Sequence, residues 1–299
     1  MRSSGFEFDE NRSPRIREEE YVKKLHMRLN YIRDRVVGEL GSIVHSIIVF
    51  GQAIQPEDFS EDYSDLEILV ITRSKPDRYF KYVLLEEFTE RNLNITFLTP
   101  DEFVSLVHDG HPLPFQAMRE GVIVFDDGTY KNMLQRGFKP GERTARYMES
   151  FACTWFSLAL ECTFRGFWDD VPHHLYKCIR DASTALIIRE KSLFPGSDSQ
   201  IISMLEDKGL REAVKLFEDL RDLRKGLKRV PVNPFTLVHK ANNVLSEILK
   251  VRSCDLNRVY SEVKAKGVAK IEVKVRDGAL KVKLVLFDGE TGKLCEKEV

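Results

Sequence analysis

Two apolar runs on either side of a polar loop limit what the first part of this chain can fold into. The first run ends at Gly51, and the second begins behind Ser64 with the sequence Asp65-Leu66-Glu67. Side chains two residues apart on a strand point to the same side at a spacing of roughly 6 to 7 Å. The pattern therefore predicts two buried strands, at residues 43–50 and 65–71, with Asp65 and Glu67 close enough to bind one divalent cation.

Composition narrows the class of protein. The chain has 299 residues, 42% of them hydrophobic and 31% charged, with a formal net charge of -1. These values are typical of a globular chain of about two domains, and they exclude a uniformly basic coat for nucleic acid. The N-terminus is charged where a signal peptide needs an apolar stretch, and no apolar run approaches the ~18 residues of a membrane span. We expect a cytoplasmic protein with no membrane partner.

The cysteine pattern is also typical of a cytoplasmic protein. Their number is odd and they show no C-x-x-C spacing, which predicts reduced thiols rather than disulfides or a zinc site. We expect most of them to be buried small hydrophobic residues. They are Cys153, Cys162, Cys178, Cys254 and Cys295.

Periodicity predicts three regions. Residues 14–127 alternate between helical and strand patterns, with helices at 14–40, 76–91 and 101–108 and further strands at 93–98 and 122–125. From about residue 141 the apolar spacing is helical throughout, up to residue 251. The tail alternates apolar and charged residues on both sides of Asp277-Gly278, a hairpin turn signal. The predicted domains are 14–139 (α+β, mixed sheet), 140–253 (an all-α bundle) and 254–299 (a small β meander).

The order strand, glycine, loop, Ser-Asp-x-acidic strand, helix and third strand resembles the nucleotidyltransferase superfamily that includes DNA polymerase β, in particular its minimal members. Gly51 matches the glycine of that pattern, Asp65 the first metal ligand and Glu67 the second. The resemblance covers about residues 44–127. The helical region is similar to the HEPN-type bundles that accompany such transferases, with a much less specific signal.

The resemblance implies Mg²⁺ or Mn²⁺ as cofactor and a nucleoside triphosphate as substrate. Two metal ions held by three carboxylates activate an attacking hydroxyl and neutralise the triphosphate. The third position falls on Asn94. The implied metal ligands are Asp65 and Glu67, and the implied nucleotide-binding residues are Gly51, Gln52 and Ser64. Lys177 and Arg180 lie one turn apart on a predicted helix, where they either bind a triphosphate across the cleft or form surface or structural pairs. We expect the site in a cleft between the first two domains.

The sequence departs from the family pattern at two positions. Gln52 stands where the family has serine, and Asn94 stands where a third carboxylate is expected. An amide oxygen ligates a cation but adds no charge and accepts no proton. Two hypotheses therefore stay open: a transferase with altered metal use, or a nucleotide-binding or regulatory module that has lost catalysis, in an antitoxin-like or sensing role.

Other functions find less support in the sequence. HEPN ribonucleases resemble one another in an arginine followed closely by a histidine, whereas here Arg165 precedes His173 by eight positions. That spacing argues against ribonuclease activity. The expected partners are a nucleotide and an acceptor that is a protein, an RNA or a small molecule, and a homodimer is a further possibility.

Overall fold

The computed structural model describes residues 14–54, 66–77, 79–80, 93–227, 233–289 and 291–299, with backbone only for residues 14–22 and 53. These residues divide into two compact units. The first holds the described residues up to Pro100 together with Gly121–Met133. The second holds Asp101–Glu120 and Leu134–Val299.

The α-helices and the β-strands are numbered separately, each in chain order. The helices are α1 (Pro14–Leu40), α2 (Pro100–His108), α3 (Pro112–Glu120), α4 (Thr129–Leu134), α5 (Glu142–Arg165), α6 (Val171–Lys191), α7 (Asp198–Asp207), α8 (Arg211–Arg224), α9 (Pro234–Leu249) and α10 (Leu256–Ala265). The strands are β1 (Val44–Phe50), β2 (Leu66–Thr72), β3 (Leu93–Leu98), β4 (Val122–Asp126), β5 (Gly267–Arg276), β6 (Ala279–Asp288) and β7 (Lys293–Glu298).

The first unit is built on a mixed four-stranded sheet in the order β3-β2-β1-β4. β1 is antiparallel to both β2 and β4, whereas β2 and β3 are parallel. One face of the sheet packs on α1, where Leu29, Ile32 and Val36 are buried against alternate residues of β1 and β2. The helical spacing of α1 and the twofold period of the strands therefore meet in one apolar layer.

The second unit has a core shared by helices and the C-terminal sheet. α6 is its most buried helix, with apolar side chains around most of its circumference. Alternate residues of β5 and β6, such as Ile271 and Val282, belong to the same buried cluster as α5, α6 and α9. The inner face of the β5-β6-β7 sheet is therefore covered by the helical bundle.

The turn between β5 and β6 shows why that hairpin forms. Asp277 and Gly278 both have positive φ, 51° and 66°. Arg276 pairs with Ala279, so the loop has two residues. This is the type I′ geometry whose twist matches that of paired strands, and Asp-Gly favours it.

Most predicted elements are confirmed. The mixed sheet, the helical series and the antiparallel C-terminal hairpin are present, and all five cysteines are free thiols. The predicted helix at 76–91 lies mostly outside the described residues. The sequence did not predict α3, α4, α10 and β7. Pro112 and Pro114 both lie in the first turn of α3, where proline is tolerated.

Two further predictions concern domains and membranes. The boundaries at residues 139/140 and 253/254 stay predictions. None of the described helices is both long and apolar enough to cross a membrane.

Candidate functional site

The turn after β1 depends on a glycine. Gly51 has φ 94°, a conformation that residues with a Cβ rarely adopt. Its carbonyl oxygen accepts a hydrogen bond from the Ile54 amide at 3.3 Å, which closes a short 3-10 turn. Gln52, in that turn, is only 7% exposed. The glycine of the pattern therefore stands at a tight turn at the carboxyl end of a buried strand.

Glu67 and Asn94 are neighbours on the sheet. In the strand register Glu67 of β2 is opposite Phe50 of β1 on one side and Asn94 of β3 on the other. Directly opposite residues present their side chains on the same face, with strands about 4.8 Å apart. Glu67 is half-buried and Asn94 is exposed, while Leu66 and Ile68 are buried on the opposite face against α1. One carboxylate and one amide oxygen thus share a face beside the Gly51 turn.

These donors suit a hard cation. Carboxylate and amide oxygens are the ligands that Mg²⁺ and Mn²⁺ prefer. Asp65 and Ser64 lie outside the described residues, so their predicted roles stay predictions. Across the described ranges no group of three or more histidine, cysteine or acidic side chains is placed to hold a metal ion. The binding of a metal ion by Glu67 and Asp65, with Asn94 at the third position, therefore stays a prediction.

Arg180 of α6 lies in a buried ionic cluster of the second unit. Its side chain is 12% exposed, and those of Glu120 and Asp198 are fully buried. The guanidinium donates to Glu120 at 3.3 Å and to Asp198 at 3.4 Å. The Tyr176 hydroxyl donates to the second oxygen of Asp198 at 2.6 Å. Burial raises the pKa of Glu120, although the Arg180 charge opposes that rise.

This arrangement bears on the predicted role of Arg180. Its guanidinium already neutralises two carboxylates that have no access to water. A buried charge without such pairing is strongly unfavourable, so these contacts favour a structural role. Binding of a triphosphate by Arg180 stays a prediction.

Lys177, one turn before Asp181, lies against an aromatic ring. Its ammonium is 4.6 Å from the ring centroid of Trp155, a cation–π contact. The His174 ring stacks on the same indole with centroids 5.7 Å apart. The Trp155 indole N–H donates to Asp181 at 3.0 Å. The structure thus gathers Lys177 with a tryptophan, a histidine and an acid, and its role in binding a nucleotide stays a prediction.

Burial shifts the pKa values of Asp181 and of the neighbouring His173 and His174. It raises the pKa of Asp181 to about 7, while the Arg180 and Lys177 charges oppose the rise. It also lowers the pKa of His173 to about 2 and, together with the Lys177 charge, that of His174. Both histidines are therefore neutral near pH 7, and Asp181 titrates there.

Sequence reasoning did not single out Asp181, Glu120 and Asp198. Asp181 had one available signal, because it lies among the buried residues of α6, where an acid needs a partner. Glu120 and Asp198 had none, since they are 60 and 18 residues from Arg180. Only the packing of α3 and α7 beside α6 brings the three together.

Comparison with known proteins supports the fold. No protein-family model matches the chain, and no curated protein sequence matches it. Among solved structures, the chain is similar to the spectinomycin adenyltransferase AAD(9) from Enterococcus faecialis, solved with ATP and spectinomycin. The two chains are 12% identical, the TM-score is 0.51, and the match covers 75% of this chain and 99% of that one.

A second structure matches less well. The nucleotidyltransferase-like protein from Exiguobacterium sibiricum 255-15 is 14% identical and the match covers 86% of this chain and 98% of that one, but the TM-score is 0.29. The chain therefore has a nucleotidyltransferase-like fold by its likeness to AAD(9), whereas the likeness of its helices to HEPN bundles stays a prediction.

Proposed function

We propose that this chain transfers a nucleoside monophosphate from a nucleoside triphosphate to a hydroxyl group of an acceptor. One observation carries the proposal: on a nucleotidyltransferase-like sheet, Glu67 is paired with Asn94 beside the turn at Gly51. The acceptor oxygen attacks the α-phosphorus, the bond between the α- and β-phosphates breaks, and pyrophosphate leaves. Pyrophosphate keeps the bridging oxygen and the acceptor hydroxyl releases its proton to solvent water, so atoms and charges balance.

Each residue has a separate task in this proposal. The tight turn at Gly51 lets the backbone approach the phosphates closely. Glu67 and Asp65 would hold Mg²⁺, with Asn94 as a neutral third ligand, and bound Mg²⁺ neutralises developing phosphate charge. Because Asn94 adds no negative charge, we expect weak metal affinity and a slow reaction.

The likeness to AAD(9) supports a choice of substrates. That enzyme was solved with ATP and spectinomycin, a nucleoside triphosphate and a small molecule. We propose ATP as the donor and a small hydroxylated molecule as the first acceptor class to test, ahead of protein and RNA.

The exposed Asn94 also favours a second candidate, a nucleotide-binding module without catalysis. Such a module would bind ATP through the Gly51 turn and release no pyrophosphate. The two candidates differ in the effect of restoring a carboxylate. If the site still assembles, Asn94→Asp raises transfer by about tenfold, the factor that ~1.4 kcal/mol of transition-state stabilisation produces.

The experiment measures binding and transfer separately. Calorimetry with MnCl₂ and a non-hydrolysable ATP analogue measures binding, and transfer of label from α-labelled ATP with pyrophosphate release measures catalysis. We expect Glu67→Gln to weaken metal-dependent binding, with Glu218→Gln as control, since Glu218 is an exposed acid on α8. Asn243→Asp, at an exposed position of α9, is the control for Asn94→Asp. Nucleotide binding that is indifferent to Glu67→Gln and Asp65→Asn would refute the site.

A further inference from the structure

The edge strands of the two sheets differ in how they are covered and charged. A strand at the edge of a sheet has unpaired backbone groups on one side, and proteins cover such an edge, charge it or pair it. β5 and β7 are the edges of the C-terminal sheet, and β3 and β4 are the edges of the first sheet. Residues 81–92, which precede the edge strand β3, lie outside the described residues.

The edge at β5 is covered by α5. The Val273 amide donates to the Ser157 hydroxyl at 2.8 Å, and the Ile271 amide donates to Glu161 at 2.7 Å. Arg165 donates to the carbonyl oxygen of Ala269 at 2.7 Å. Four residues of helix advance about 6 Å and two residues of strand about 6.6 Å, so the helix positions stay in step with the strand. No further strand fits there.

The edge at β7 is charged in a way that opposes pairing with itself. Val299 exchanges both backbone hydrogen bonds with Val282, so the groups of every second residue, Leu294, Glu296 and Glu298, point away from β6. A symmetric antiparallel pairing centred on Glu296 places that carboxylate opposite its own copy.

The neighbouring registers of β7 also place like charges opposite each other. Centring the pair on Cys295 sets Lys293 opposite Lys297, and centring it on Lys297 sets Glu296 opposite Glu298. Like charges directly opposite each other destabilise a strand pair. β7 is therefore protected against a second copy.

β4 has neither protection. It pairs with β1 on one side, and within the described ranges no strand pairs with its other side. Its residues 122–125, Val-Ile-Val-Phe, include no charge and no proline, and none of them is fully buried. Val122 is 46% exposed. Its register with β1 shifts between Phe125 and Ile123, which marks a β-bulge at Val124. The run brings no like charges opposite each other when it pairs with its own copy.

The charges that follow this run are bound within the protomer. Asp126 accepts a hydrogen bond from the Ser46 hydroxyl at 2.6 Å, and Asp127 is 2.7 Å from the His45 ring. The bond to His45 lowers the pKa of Asp127 to about 2. These contacts draw both carboxylates toward the start of β1, so they add little repulsion at the outer side of β4.

We propose that a second copy of this chain pairs its β4 antiparallel with β4 across a two-fold axis, which joins the two four-stranded sheets into one. Such pairing is isologous and closes after two copies. This pairing gives hydrogen-bond partners to the backbone groups of β4 that point away from β1, and it buries the exposed apolar side chains of that strand. The proposal is independent of any transfer activity.

A dimer held together by strand pairing alone has a small interface, and its population therefore depends on protein concentration. The experiment measures the molecular mass over a range of protein concentrations. Sedimentation equilibrium of the full chain is expected to show a rise from 34.6 kDa toward twice that value. Ile123 is near the centre of the apolar run, so Ile123→Lys and Ile123→Glu each place like charges across the axis. We expect each variant alone to be monomeric and an equal mixture of the two to dimerise.

The mixture also serves as the folding control, because a misfolded variant would not recover pairing. Leu294→Lys is the matched control on β7, since Leu294 is a 63% exposed apolar residue of the other sheet edge. We expect it to dimerise like the wild type. A wild-type chain that is monomeric at every concentration, a dimer that survives both Ile123 variants, or a mixture that stays monomeric would overturn the proposal.

Discussion

Replacing Arg180 by methionine tests whether this residue stabilises the second unit or binds nucleotide. Methionine keeps much of the side-chain volume and removes the charge. Glu120 and Asp198, both fully buried, would then lose the guanidinium that neutralises them. The prediction is a large loss of stability with no specific effect on nucleotide affinity.

The magnitude follows from the two distances. At 3.3 and 3.4 Å, each ion pair has a Coulomb attraction of about 5 kcal/mol at an effective dielectric constant of about 20. Desolvation of the three groups offsets much of that attraction. Removing one partner of a buried pair costs about 3 to 5 kcal/mol, and we expect the free energy of unfolding to fall by that amount.

Urea unfolding followed by tryptophan fluorescence is the assay. Both tryptophans of the chain, Trp155 and Trp168, belong to the second unit, so the signal reports on the unit that holds Arg180. With a slope of about 2 kcal/mol per molar urea, the midpoint falls by roughly 2 M. The loss should shrink as pH falls, because burial raises the pKa of Glu120 and a protonated Glu120 needs no cationic partner.

The matched control is Arg189→Met on the same helix. Arg189 pairs with Glu142 and Glu149 but is 29% exposed, and pairs open to water contribute less than about 1 kcal/mol. Adding Glu120→Gln to Arg180→Met should recover part of the lost stability. If Arg180→Met unfolds like the control and instead abolishes ATP binding, the structural interpretation is refuted and the nucleotide role is favoured.

Two smaller changes test other parts of the structure. Because the pKa of Asp181 is raised to about 7, its proton favours the folded state, and this contribution to stability is full below pH ~4 and lost as pH rises through 7. Trp155 fluorescence should titrate near pH 7 and become flat in Asp181→Asn, and a wild-type profile without that step would contradict the assignment. Gly51→Ala should lower the free energy of unfolding by about 1 to 2 kcal/mol, because φ is 94°. Gly38→Ala in helix α1 should raise it by up to about 1 kcal/mol, and equal effects at both glycines would contradict the turn geometry.

The candidate site could be predicted in part from the sequence because its signals are local. Strand geometry places Glu67 on the face opposite Leu66 and Ile68, and in the structure those two residues are buried against α1 while Glu67 is half-buried. From Ile68 onward both faces of β2 are buried. The glycine at the end of β1 is also local, and its positive φ is what the residue type suggests. The pairing of Glu67 with Asn94 required the register of two strands that are distant in sequence.

By itself, then, the sequence determined most of the strands and helices, though not α3, α4, α10 and β7, and it determined which face of a strand such as β5 is apolar. Side-chain period is a property of the local backbone, and so it is visible in a single segment. The tertiary structure decided the electrostatic role of the helical residues. Lys177 and Arg180 are three residues apart on one helix, yet one contacts an aromatic ring and the other two buried acids. Charge partners depend on which elements pack together, and that choice is made by the whole core.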